Sequence, residues 1–134
     1  MAKQPKSTPL PKIVLGDGDH EKLLGLSGSL SGKLAEMADQ ILEELDRAKV
    51  IPQEQLPPSV VRMGSIVSFE TSDGARHRFT LVYPDMADIE SGRISILTPI
   101  GAALIGLSEG QSIPWRARDG RVLTLTVLDV GQEA

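Results

Sequence analysis

Few residues in this chain are of a type that could do chemistry, and their spacing narrows what they can do. Asp17, Asp19 and His20 stand together in the run GDGDH. A calcium loop needs further ligands at fixed positions and a distal Glu, and these are missing. The two carboxylates read instead as helix N-terminal groups, because a carboxylate satisfies the free N–H groups of a first turn. His20 and His77 are the two histidines. No Gly-x-Ser-x-Gly elbow accompanies them, so Ser, His and Asp form no recognisable nucleophilic triad. Gly101–Gly106 lacks the tight Gly-x-Gly of a dinucleotide loop. Gly25–Gly32 lacks the Lys-Ser/Thr of a phosphate loop. Glu36, Asp39, Glu43, Glu44 and Asp46 read as the solvated face of a helix. No catalytic residue, metal site or cofactor is expected.

The whole chain bounds the rest. Its 134 residues fit one compact unit or two very small ones. With 40% hydrophobic residues there is enough to build a core, but only Phe69, Phe79, Tyr83 and Trp115 are aromatic. The core is therefore aliphatic, and an aromatic ligand cage is not expected. There is no cysteine, which excludes disulfides and Cys-ligated zinc. No apolar run reaches membrane-span length, and the N-terminus MAKQPKSTPLPK lacks the apolar centre of a signal peptide. A cytoplasmic protein without membrane contact is expected, with residues 1–12 as a flexible tail. The net charge of −4 does not recruit nucleic acid in bulk. From Pro52 onward the basic side chains are all arginines apart from His77, which suits contacts to a protein partner.

The elements that position these residues follow from periodicity. Ile13–Leu15 reads as a short extended segment and Asp19–Leu26 as a first helix. Gly25, Gly28 and Gly32, interleaved with serines, break the helical pattern and form a tip. Leu34, Met37, Ala38, Ile41, Leu42, Leu45 and Ala48 repeat on one face of a second helix. Glu43 and Arg47 stand in the favourable i,i+4 order. Pro57-Pro58 marks a boundary. Beyond it the period shifts to two, with strands near Val60–Phe69, Arg76–Tyr83 and Arg93–Leu97 and a turn at Ser72-Asp73-Gly74. Thr98-Pro99 starts a short helix, Thr as N-cap and Pro as first helical residue, and Gly106 stops it. Gln111–Arg118 and Arg121–Val130 form a hairpin around Asp119-Gly120. The expected class is α+β: a helical hairpin, then a small antiparallel sheet with one short helix across it.

These residues carry a family resemblance. Leu81-Val-Tyr-Pro84, Asp88, Gly92, Ile94-Ser-Ile-Leu97, Pro99-Ile-Gly-Ala-Ala-Leu104, Gly106-Leu107, Gly110-Gln-Ser-Ile113 and Trp115 run in the order of the regulator of nucleoside diphosphate kinase family. Leu45-Asp-Arg-Ala48, Pro57, Val60-Val61, Met63 and Ser65 extend it upstream, so that it covers about nine tenths of the chain. The wider resemblance is to the C-terminal domain of the GreA and GreB cleavage factors. Gly64-Ser65 opens the first strand, and Ile94-Ser95 runs into Thr98-Pro-Ile-Gly101. Thr98 stands for the family's Ser and keeps the hydroxyl cap. Gly64 stands where the nearer family more often has Asn.

The resemblance implies residues 13–57 as a short helical hairpin, a truncated coiled coil, and 58–134 as an FKBP-like docking domain. It implies bacterial RNA polymerase as partner, bound at the rim of the secondary channel. Thr98, Pro99, Ile100 and Gly101 would form the docking element, with Asp88 and Ser95 beside it. In Gre factors the coiled coil carries acidic tip residues that hold a catalytic magnesium ion. Here the expected tip, Ser27, Gly28, Ser29, Leu30 and Ser31, has no acid. Binding without transcript cleavage is therefore expected. The family name offers nucleoside diphosphate kinase as a second partner. Peptidyl-prolyl isomerase activity, from the fold alone, is disfavoured by the scarcity of aromatic residues.

Overall fold

Two periodicities build the molecule, one helical and one of the sheet. The computed structural model describes residues 11–116 and 120–132. In the second half, strand β3 (Ser65–Thr71) buries Ser65, Val67, Phe69 and Thr71 and leaves Ile66, Ser68 and Glu70 half-exposed. This period of two is what a strand with one face on a core requires. β4 (Arg76–Val82) and β7 (Val122–Gln132) flank β3 antiparallel. β6 (Ser112–Arg116) lies outside β7, and β5 (Arg93–Ser95) outside β4. The order is β5-β4-β3-β7-β6. The β6–β7 hairpin forms as expected, although Arg118 and Asp119 of its turn lie outside the described residues.

The sheet is mixed, which corrects the antiparallel expectation. β4 and β5 run parallel, Leu81 opposite Ile94. Residues 83–92 do not reverse the chain tightly. They carry it back along the strand edge through two 3-10 turns, Pro84–Met86 and Ile89–Ser91. A second parallel pair joins β1 (Val14–Gly16) to β2 (Lys49–Ile51). β2 has no local signature, because its partner lies on the far side of the whole helical hairpin.

The first helix of that hairpin is longer than expected. α1 spans Asp17–Ser29 and α2 spans Lys33–Arg47, about 20 and 22 Å long. α1 runs straight through Gly25 and Gly28. Each costs only about 1 kcal/mol in a helix, and burial of Leu23, with Leu26 packed against the core, offsets that. Ser27, Gly28 and Ser29 are thus the last helical turn and not a tip. Only Leu30, Ser31 and Gly32 link the helices, and Gly32 takes φ +62. The capping expectation also fails. Gly16 is the N-cap of α1, without a side-chain cap bond. Asp17 Oδ1 accepts from the Gln53 N–H at 2.9 Å, and Asp19 Oδ2 accepts from Gln53 Nε2 at 3.3 Å and from the Met63 N–H at 3.2 Å. On α2, Arg47 pairs with buried Glu44 at 2.7 Å rather than with Glu43. It also donates to the carbonyl of Pro11.

One core runs across residue 57. Leu23, Ala38, Ile41 and Leu45 of the hairpin belong to the same buried cluster as Phe69, Leu81, Leu104 and Leu125. Leu42, expected on the inner face, is 38% exposed. His77 stacks on Phe69 at 5.1 Å, so its ring packs beside the core.

Candidate docking site

The site begins at the end of β5. Ser95 Oγ accepts from the Leu97 N–H at 3.0 Å, and the Ser95 carbonyl accepts from Thr98 Oγ1 at 2.8 Å. Thr98 is extended, and its hydroxyl accepts from the Gly101 N–H at 3.0 Å. This is the cap expected of Thr before Pro: it fills one of the free N–H groups of α3 (Pro99–Leu104). Gly106 follows at φ +81, where L side chains are strained, and the helix stops there.

Gly101 is fixed by space. A Cβ on it would lie 2.3 Å from the Ser95 carbonyl oxygen and 3.0 Å from Ile96 Cα. The absence of a side chain lets α3 pack against the strand that precedes it. Gly101 is buried, Ile100 half-buried and Pro99 exposed. Pro99 is thus an apolar group on the surface, held by a rigid turn.

Asp88 joins from the opposite side. Its N–H and C=O exchange hydrogen bonds with Arg93 at 3.0 and 2.9 Å, and its Oδ2 accepts from Ser91 Oγ at 2.8 Å. Asp88 therefore meets β5 at its first residue, whereas Thr98–Gly101 starts beyond its last. Three strand residues separate the two groups by roughly 7 Å. The loop between β4 and β5 exposes Met86 (52%) and Ile89 (67%) among Asp85, Asp88 and Glu90. Sequence reading missed Met86 and Ile89. An isolated apolar residue in a loop has no periodicity to mark it.

Tyr83 roots that loop, since its carbonyl accepts from the Met86 N–H at 2.9 Å. Its hydroxyl is buried and unpaired among the described residues. Burial, and then the charge of Asp19, push its pKa up to about 12. Among the described residues no three His, Asp or Glu side chains gather as metal ligands would. The hairpin link carries none: Leu30 is half-buried against the core, and Ser31 is exposed. What the arrangement offers is a rigid apolar and acidic surface.

The comparisons with known proteins decide the family. Residues 56–132 match the family model for the C-terminal domain of the GreA/GreB transcription elongation factors. The chain belongs to the GreA/GreB family. It is 37% identical over 121 residues to the regulator of nucleoside diphosphate kinase of Escherichia coli, covering 90% of this chain and 89% of that one. It is 36% identical over 92 residues to transcription elongation factor GreA of Nitratidesulfovibrio vulgaris, covering 68% of this chain and 58% of the relative. Among solved structures, a GreA/GreB elongation factor from Nitrosomonas europaea superposes with TM-score 0.71 at 38% identity. That match covers 90% of this chain and 98% of that one. The family match takes in Asp88, Ser95 and Thr98–Gly101, the residues expected to dock. Its N-terminal limit, Leu56, falls near the Pro57-Pro58 boundary of the sequence.

Proposed function

We propose that this GreA/GreB-family chain binds bacterial RNA polymerase at the rim of the secondary channel and regulates transcription without cleaving transcripts. The Thr98-capped start of α3 carries this reading, because it holds Pro99 outward on a fixed backbone. Ile100 and Gly101 complete the element, with Asp88 and Ser95 at the two ends of β5. In this reading 58–134 is an FKBP-like docking domain and 13–57 its short helical arm, in the cytoplasm. The acid-free link Leu30–Gly32 supports binding without metal-dependent cleavage. None of the described helices is long and apolar enough to cross a membrane.

Retention of core polymerase on the immobilised chain tests docking. The wild type retains polymerase, and Pro99→Asp, at an exposed position, loses about tenfold or more of it. No retention by the wild type, or equal retention by a folded Pro99→Asp variant, overturns the docking claim. Release of short 3′ RNA fragments from arrested complexes would overturn the absence of cleavage. The 37% identity to a kinase regulator favours one alternative, direct contact with nucleoside diphosphate kinase. A change in kinase rate on mixing the pure proteins, with no polymerase retention, would establish that reading instead.

A further inference from the structure

The hairpin carries a second surface, away from α3. Leu24 of α1, Leu42 of α2 and Val50 of β2 are 50%, 38% and 43% exposed. They line one groove of about 600 Å³, floored by Leu45 and Ala48. His20 also lines it, its Nε2 3.2 Å from the Leu45 carbonyl oxygen. A soluble surface seldom gathers apolar side chains this way without a partner.

On the α1 and α2 sides the rim is acidic, and Asp46 lines the groove itself, whereas the exposed Lys49, between Ala48 and Val50, lines a separate hollow with Pro11, Lys12 and Ile13. Asp39 lies three residues before Leu42 and Asp46 four after it, so both stand beside Leu42 on α2. Glu43 follows Leu42, and Glu21 stands one turn before Leu24 on α1. All four carboxylates are exposed. The ion pairs among the described residues, Arg47–Glu44 and Arg76–Glu70, engage none of them. No Lys or Arg lines the groove.

We propose that this groove docks a basic amphipathic segment of a partner protein, apolar along one side and Lys- or Arg-bearing along its flanks. Apolar anchors would fill the space between Leu24, Leu42 and Val50, and the flanking cations would meet Glu21, Asp39, Glu43 and Asp46. A second copy is disfavoured, because it would bring two acidic rims together. Phosphate-bearing partners, nucleic acid or anionic lipid, would meet the same repulsion. This surface is independent of the Pro99 element.

Fluorescence anisotropy with the labelled amphipathic peptide LKKLLKLLKKLLKL tests it. The full chain binds the peptide, and binding weakens as salt rises. Leu42→Lys and Val50→Lys each lower the affinity about tenfold or more, as does the double reversal Asp39→Lys with Asp46→Lys. The control reversal Glu54→Lys with Asp129→Lys, at two exposed positions outside both surfaces, changes net charge equally and leaves binding within about twofold. Pro99→Asp also leaves it unchanged, which separates this groove from the polymerase reading. The two lysine variants sit at partly exposed positions, so each stands as a check should the other unfold. Equal binding by both, equal loss in the control reversal, or no binding by the wild type overturns the proposal. A wild-type dimer in sedimentation that Leu42→Lys dissociates overturns it in favour of a second copy.

Discussion

Tyr83 shows how a single side chain reports its surroundings. Its ring is half-buried and packed against the core, and its hydroxyl is buried without a hydrogen bond among the described residues. Ionisation would place a phenolate in that setting, near the carboxylate of Asp19. Both effects disfavour the charged form, and the pKa rises from 10.0 to about 12. The folded value lies above the unfolded one. The stability this group contributes is therefore fully present below pH 10 and is lost as pH rises through 12. Tyr83 is the chain's one tyrosine, so its phenolate absorbance can be followed without overlap. The native midpoint should lie near 12, and in urea it should fall to about 10. A native midpoint of 10 would mean that the ring is solvated and that the loop it roots is open. At the same scale the start of α3 was readable. Thr98 as cap, Pro99 as first helical residue and Gly106 as stop each have a local reason to be there and form as expected, whereas the reason for Gly101 is the approach of the Ser95 carbonyl, which only the fold shows. Met86 and Ile89 had no such reason in the sequence.

Among the elements, the joint between hairpin and sheet was the least legible part. Asp17 and Asp19 looked like caps, since a cap is the only local use for a carboxylate there. Their partners, Gln53 and Met63, lie more than thirty residues away in the chain. The same distance hid β2, which is held to β1 by the Lys49 N–H on the Ile13 carbonyl at 3.0 Å. Gly25 and Gly28 were read as helix breakers because propensity is local, while the burial of Leu23 that overrides it is not. Local rules thus found the ends of α3 and missed those of α1. The two readings of Asp19 differ in energy. Asp19 is buried, and the backbone N–H of Met63 depends on it, so Asp19→Ala should cost about 1–3 kcal/mol in urea unfolding. Asp17 is exposed, and Asp17→Ala should cost less. Gln53→Ala should reproduce much of the Asp19 loss, and the double variant should fall short of the sum. Equal small losses at Asp17 and Asp19, additive with Gln53, would restore the capping reading.

For the whole molecule, the shared core decides how the arm can behave. Ile41 and Leu45 of α2 and Leu23 of α1 are buried in one cluster with Leu104 of α3 and Phe69 of β3. Swinging the hairpin away would expose these side chains, at about 1.5–3 kcal/mol for each. Hydrogen bonds to the segment that leads into α1 add two ties. Val14 N–H reaches the Gly106 carbonyl at 3.1 Å, and Gln111 Nε2 reaches the Lys12 carbonyl at 3.0 Å. A hairpin held this way should unfold with the sheet and not before it. Two signals separate the halves: helix ellipticity reports mainly α1 and α2, and the one tryptophan, Trp115, reports β6 at an edge of the sheet. Their transitions in urea should coincide. Ile41→Ala should lower both together, by about 2–5 kcal/mol, although Ile41 lies in the hairpin. If ellipticity fell first and Trp115 fluorescence kept its wild-type midpoint, the arm would be a separate unit. It could then move on binding while the docking element stayed in place. Coincident transitions instead mean that the Pro99 element and the Leu42 groove keep fixed positions on one body, so that a partner large enough to reach both meets them in a single geometry.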